Sequence, residues 1–362
     1  MALHLVLSGA DLRAQTPDAG DRPGASRLDP VDAASFGLVP GLGQFMLGNY
    51  AAGATQSALF LTFLGASGAF AAHPDYIPSN ERFVDFDLNE TLLARELDKA
   101  GELYRDLPFL TESRYEREVR LYRAGKIAEL NALFKYGPYA RFNTPTANSD
   151  LAFQSALHTF FYSSYSAYRD AGGTDPSIQG ETWFDLAISP FQPEFIFTTD
   201  FMAPILLLAF IQARSSQSGG TKTLVPPGFK KSGALAAHQT VVSFNAAVGE
   251  EAFFRGYLNH SLGKDPDLGP NGAAAISSIL FGLAHYDPSN PLGSVAFPTL
   301  AGFYFAWMHN KNDYDIRPAI ALHFWWDILV LFHAMRDYKE DRNVGKTPRQ
   351  VRFMPTLFQL SF

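Results

Sequence analysis

Charge is absent from long stretches of this chain. Residues 33–74 run for 42 positions without Asp, Glu, Lys or Arg, and further charge-free runs cover 232–249, 268–286 and 288–310. Segment 195–213 holds only Asp200, and 318–335 only Asp327. A helix crossing a bilayer core needs about 20 mostly apolar residues. Five or six segments approach that length: roughly 55–73, 195–213, 233–258, 272–287, 294–310 and 318–336. Several are rich in Gly, Ala and Ser, which lets membrane helices approach closely. The alternative is a soluble protein with buried core helices, but soluble helices of this length normally show a charged stripe. These do not.

The remaining segments read differently. Residues 75–150 hold 14 acids and 11 bases. Within 90–135, Leu92, Leu93, Leu97, Leu103 and Tyr104 recur at helical spacing among charges, the pattern of solvated amphipathic helices. The aromatic run Phe160, Phe161, Tyr162, Tyr165 and Tyr168 continues that character. Val39 to Phe45 reads as a turn entering a helix or a re-entrant hairpin. The apolar start Leu5-Val6-Leu7 is too short, and lacks the basic flank, for a signal peptide. The chain divides into a flexible N-terminus (1–34), an apolar membrane segment or hairpin (35–74), a charged, mostly helical soluble or interfacial insert (75–193), a membrane core (194–336) and a basic tail (337–362). The fold class expected is all-α: a polytopic helical membrane bundle with a polar intramembrane cavity, plus the charged helical insert.

Basic residues orient this bundle. Loop 214–231 carries Arg214, Lys222, Lys230 and Lys231 with no acid, and the tail carries Arg336, Lys339, Arg342, Lys346, Arg349 and Arg352. Both are expected on the cytoplasmic side. Four helices between 233 and 336 put them on the same side.

Composition removes several function classes. The formal charge is −7, from 36 acids against 29 bases with no basic cluster, which argues against a nucleic-acid partner. With no cysteine there is no disulfide scaffold, thiol nucleophile, iron–sulfur site or thiolate zinc site. The 32 Phe and 15 Tyr suit lipid-facing or densely packed helices.

Ionisable groups inside a membrane segment are costly, so they mark candidate chemistry. Three places qualify: Glu250-Glu251-Ala252-Phe253-Phe254-Arg255, Phe281 to His285, and His323 to Asp327. Glu251 and Arg255 lie four apart on one helix face, in the favourable order for an ion pair. Glu250 points about 100° away and has no cation on its own helix. A buried carboxylate without a cation binds a proton readily, which suits a general base near neutral pH. His323 and Asp327 share one face of another helix. Phe305 with His309, and His333 with Asp337, repeat two of these spacings at helix ends, where a solvated terminus is the plainer reading. His158 and His73 lie in or beside the charged insert, and His238 reads as packing.

In order, the three patterns resemble the CPBP family, intramembrane endopeptidases that include type II CAAX prenyl proteases and bacteriocin-processing or immunity proteins. The family pattern is EExxxR, FxxxH, then HxxxN or a variant, matched here by Glu250–Arg255, Phe281–His285 and His323–Asp327 over about 235–335. The resemblance implies peptide-bond hydrolysis in a polar cavity of a membrane bundle, in the cell membrane of a prokaryote, on a peptide or protein substrate held with the lipid bilayer. Carried over by position, Glu250 and His285 activate water, His323 and Asp327 stabilise the oxyanion, and Glu251 and Arg255 hold the first motif. One departure stands out: Asn can donate a hydrogen bond to an oxyanion and ionised Asp cannot. Asp327 is therefore expected to orient His323 through its ring N–H, a common task for carboxylates beside histidine. No cofactor is required. The alternative is a divalent metal such as zinc on Glu250, His285 and His323. A competing reading is a non-catalytic scaffold or immunity-type protein of the same fold.

Overall fold

The computed structural model describes residues 28–77, 83–84, 139–175, 181–214, 222–229, 233–287, 291–336 and 338–340. The expectations for the N-terminus up to residue 27, for helices over 90–135 and for the tail beyond 340 lie outside the described residues.

Helix α1 (Pro30–Gly37) starts at Asp29, whose side chain accepts from the Val31 amide. A turn follows, with Gly41 at φ +88°, and leads into α2 (Leu42–Met46) and then α3 (Tyr50–Ala71). Asn143 caps α4 (Thr144–Asp170), accepting from the Thr146 amide at 3.1 Å, with Pro145 in the first turn. One face of α4 is made of buried small residues, Ser163, Ser164, Ser166 and Ala167. Across it a Cβ at Gly37 would lie 2.7 Å from the Ser164 Cα, so α1 and α4 touch backbone to backbone. Gln44 and Gln56 then reach the Ser166 hydroxyl at 3.0 and 2.8 Å and satisfy that polar face inside the protein.

A capping box between Thr182 and Asp185 opens α5 (Trp183–Ile188), followed by α6 (Pro193–Ile196) and α7 (Thr199–Arg214). Helix α8 (Ala234–Glu251) continues through a π-helical stretch (Ala252–Asn259) into α9 (His260–Gly263). Then come α10 (Gly269–Ala284), α11 (Pro291–Lys311) and α12 (Arg317–Met335). Helix α8 packs between α4 and α12, and α10 lies along α11. The core where α4, α8 and α12 meet contains Tyr165, Ala247, Val248, Ala252, Ile320 and Phe324.

The all-α expectation misses a small sheet. Strands β1 (Phe83–Val84), β2 (Tyr139–Arg141), β3 (Lys222–Val225) and β4 (Lys339–Glu340) pair in that order, the first pair antiparallel and the others parallel. Runs of two to four residues are too short to carry a period-two pattern. The sheet brings residues 222–225, within the basic loop 214–231, beside 339–340 at the start of the basic tail.

Among the described residues, only Arg317–Met335 is long and apolar enough to cross a bilayer by that measure alone, against the five or six segments expected. Helices α7 and α10 are 16 residues each, and α8 carries Gln239, Ser243, Asn245, Glu250 and Glu251. Yet large apolar side chains lie bare on several helices: Leu61, Leu206, Phe210, Leu283, Leu292 and Leu300 are each more than half exposed. Soluble monomers rarely present so much apolar surface.

Candidate active site

The polar residues converge where the C-terminal end of α8 meets α4, α10 and α12. Glu250 and Glu251 occupy the last turn of α8, just before the winding opens into the π stretch. Such stretches recur at functional sites. Here the wider turn sends Phe253 toward α4, stacked on Phe161 at 4.8 Å, while Arg255 reaches α11 and donates to the Gly302 carbonyl at 3.1 Å. A Cβ at Gly302 would crowd that approach, lying 3.1 Å from the guanidinium and 3.2 Å from the Ser278 Cα.

Glu251 bridges two motifs. One oxygen lies 3.3 Å from Arg255 Nε, and the other takes His323 Nδ1 at 2.8 Å, with all three side chains buried. Phe305 stacks on the His323 ring at 5.0 Å and 15°, and Phe281 meets it edge-on. The Phe281 ring also lies 4.4 Å from the Arg255 guanidinium carbon, a cation–π contact. His323 is therefore fixed by Glu251 and two aromatic rings. Asp327, expected to orient His323, places its oxygen 3.6 Å from His323 Nε2, a longer contact than that of Glu251 and on a more exposed side of the site. The i,i+4 spacing on α12 pairs the two residues, but the shorter contact comes from α8.

His285 follows the last residue of α10, and its Nδ1 donates to the Phe281 carbonyl at 2.7 Å, satisfying an end-of-helix acceptor. That bond leaves the Nε2 lone pair on the side of Glu250. From Glu250 Oε2, His285 Nε2 is 3.9 Å away and His323 Nε2 is 4.0 Å away. Oε2 is buried and has no hydrogen-bond partner among the described residues. The structure thus brings Glu250, His285, His323 and Asp327 together, with Glu251 and Arg255 behind them.

Glu250 is not without a polar partner, as its own helix implies. Its other oxygen, Oε1, lies 3.3 Å from Nε2 of His158, both side chains buried. Sequence reading passes over His158 because charges upstream colour the whole span 75–193. The available signal was local: small residues at helical spacing over Ser155, Ser163 and Ser166 mark a helix that packs closely.

His309 also differs from expectation. It is fully buried rather than solvated, and accepts from Asn259 Nδ2 at 2.9 Å. Its neighbour in that spacing, Phe305, supplies the stack on His323. His238 bonds the Ala147 carbonyl at 2.9 Å, and Asp200 pairs with Lys311 at the start of α7. Among the described residues no group of three or more His, Asp or Glu side chains stands out as placed to hold a metal ion.

Residues 233–329 match the family model of the type II CAAX prenyl endopeptidase Rce1-like proteins. The family implies a membrane peptidase acting on a protein or peptide substrate. No curated protein matches the chain. No solved structure matches it.

Proposed function

We propose, for a chain whose residues 233–329 form an Rce1-like type II CAAX prenyl endopeptidase domain, that it hydrolyses a peptide bond of a membrane-associated substrate. Glu250 and His285 activate the water, and His323 stabilises the oxyanion. The observation that supports this best is the pair of separations, 3.9 and 4.0 Å, between Glu250 Oε2 and the two Nε2 atoms. These gaps are too long for direct hydrogen bonds and suit a polar molecule held between the groups.

In this reading the water oxygen bonds to the scissile carbonyl carbon while Glu250 Oε2 takes its proton. His285 Nε2 holds the water by its lone pair. With Nδ1 kept on Glu251, His323 Nε2 faces the same space, and as an imidazolium it donates to the oxyanion. Asp327 flanks that nitrogen from the open side. The proton on Glu250 passes to the amine nitrogen as the C–N bond breaks, giving a carboxylic acid and an amine.

The bare apolar faces of α3, α7, α10 and α11 support embedding of the whole bundle, although α12 alone has the length and hydropathy of a span. The pairing of β3 with β4 supports placing loop 214–231 and the start of the tail on one side, which the basic residues assign to the cytoplasm.

The test is cleavage of quenched-fluorescent peptides, farnesylated and unfarnesylated, by the purified full chain in detergent. Wild type cleaves, and Glu250→Gln loses about 10²–10⁴ of the rate. Equal cleavage by the two proteins would exclude the proposal.

A further inference from the structure

We propose that His158, outside the matched segment, is a positioning residue of this site: it holds one oxygen of Glu250 so that the other faces His285 and His323. The inference rests on the hydrolytic reading above and adds α4 to the machinery. Of the three imidazoles around Glu250, His158 makes the closest contact, 3.3 Å against 3.9 and 4.0 Å. A glutamate carboxylate turns freely about its last torsion unless one oxygen is tied. Here Oε1 is tied and Oε2 is not, which is the arrangement a directed proton acceptor needs. The tautomer with the proton on Nε2 satisfies the carboxylate and leaves His158 Nδ1 without a hydrogen-bond partner in the described structure.

The approach is built along α8 and the first half of α4. His238 bonds the Ala147 carbonyl, and Asn245 bonds Ser155 at 2.8 Å, at sequence offsets of 91 and 90. The His158–Glu250 pair follows at an offset of 92. Near-constant offsets mean that α4 and α8 run parallel in fixed register. At the site itself the helices meet at Gly249, where a Cβ would lie 2.6 Å from the His158 Cβ and 3.0 Å from its Cα. Any side chain at 249 would push His158 off Glu250. Phe161, one turn on, stacks on Phe253 and closes the contact from the other side.

The experiment uses the full chain in detergent and whichever peptide of the farnesylated and unfarnesylated set the wild type cleaves. His158→Phe keeps the ring volume and loses the donor. It is expected to lower kcat about 10- to 100-fold at unchanged KM. His158→Gln restores an N–H donor and recovers kcat to within about fivefold of wild type. Gly249→Ala, which changes no polar group, lowers kcat as His158→Phe does. Wild-type kcat in His158→Phe overturns the inference while the hydrolytic reading stands. So do equal losses in the Phe and Gln variants accompanied by lowered thermal stability, which would make His158 a packing residue. A wild type that cleaves nothing, or a Glu250→Gln variant that cleaves as well as wild type, removes the hydrolytic reading and this inference with it.

Discussion

Two clusters of buried histidine lie along one continuous winding of chain, and they are built on opposite principles. Around Glu250, three imidazoles face a carboxylate, and two of the three separations exceed hydrogen-bond distance. Nine positions on, Asn259 donates to His309 at 2.9 Å and to Asn310 at 2.8 Å, while Tyr168 and His260 share a hydrogen bond of 3.0 Å. Tyr314 lays its ring against both histidines, 4.8 and 5.2 Å between centroids. The second cluster is held by direct bonds among amides, a phenol and imidazoles, although Asn259 Oδ1 and His309 Nε2 have no hydrogen-bond partner among the described residues. The first contains an acid, and its Oε2 has no hydrogen-bond partner among the described residues. Burial of histidine is common to both; an acid oxygen left unbonded next to two histidine nitrogens is found at the first.

That contrast yields substitutions with different readouts. His323→Ala removes the donor proposed for the oxyanion and should lower kcat about 10²–10³-fold in the peptide assay. A loss smaller than tenfold would put the oxyanion elsewhere. Glu251→Gln frees the ring that Glu251 now fixes, and about 10- to 100-fold of kcat should go with it. Asp327→Asn should cost less than Glu251→Gln, and the reverse order would return the orienting role to Asp327. In the second cluster, His309→Ala strips Asn259 of a buried partner and should cost about 1–3 kcal/mol in thermal unfolding. The hydrolysis rate per folded molecule should stay within about twofold of wild type. A large kcat effect there would erase the distinction between the clusters.

The smallest effect expected lies outside the helical spans, at Glu181. Burial, and then the nearby Asp315 carboxylate, push its pKa from 4.5 up to about 7, against the pull of Arg317 at 3.0 Å. The folded protein therefore keeps a proton that the unfolded chain has released, and stability from this group falls as pH rises from about 4.5 to about 7. Glu181→Gln should flatten that part of the curve of unfolding temperature against pH. Parallel curves would show that Glu181 titrates normally.

The sequence carries the four helices of 233–336 and the residues that meet at their centre, because charge-free runs and i,i+4 spacings are local signals. It does not carry contacts between helices. Spacing on α12 pairs His323 with Asp327, yet the ring is held by Glu251 on α8. Spacing on α8 leaves Glu250 without a partner on its own helix, yet α4 supplies His158 from 92 positions away. His309 reads as a solvated end because Asn310-Lys311 follow it, but the turn at Asp313 and Tyr314, both at positive φ, folds Tyr314 back over it. The sheet is invisible because its strands are shorter than any pattern that would announce them. Charge-free runs likewise differ from spans: among the described residues one helix, Arg317–Met335, has the length and hydropathy of a crossing.

The central claim is that water standing between Glu250 and two imidazoles cleaves a peptide bond. It is tested most directly by running the reaction in water enriched in oxygen-18 and weighing the products by mass spectrometry. The account predicts one heavy oxygen in the new C-terminal carboxylate of the wild-type product, and loss of that product in Glu250→Gln. A labelled product formed just as fast by Glu250→Gln would contradict it.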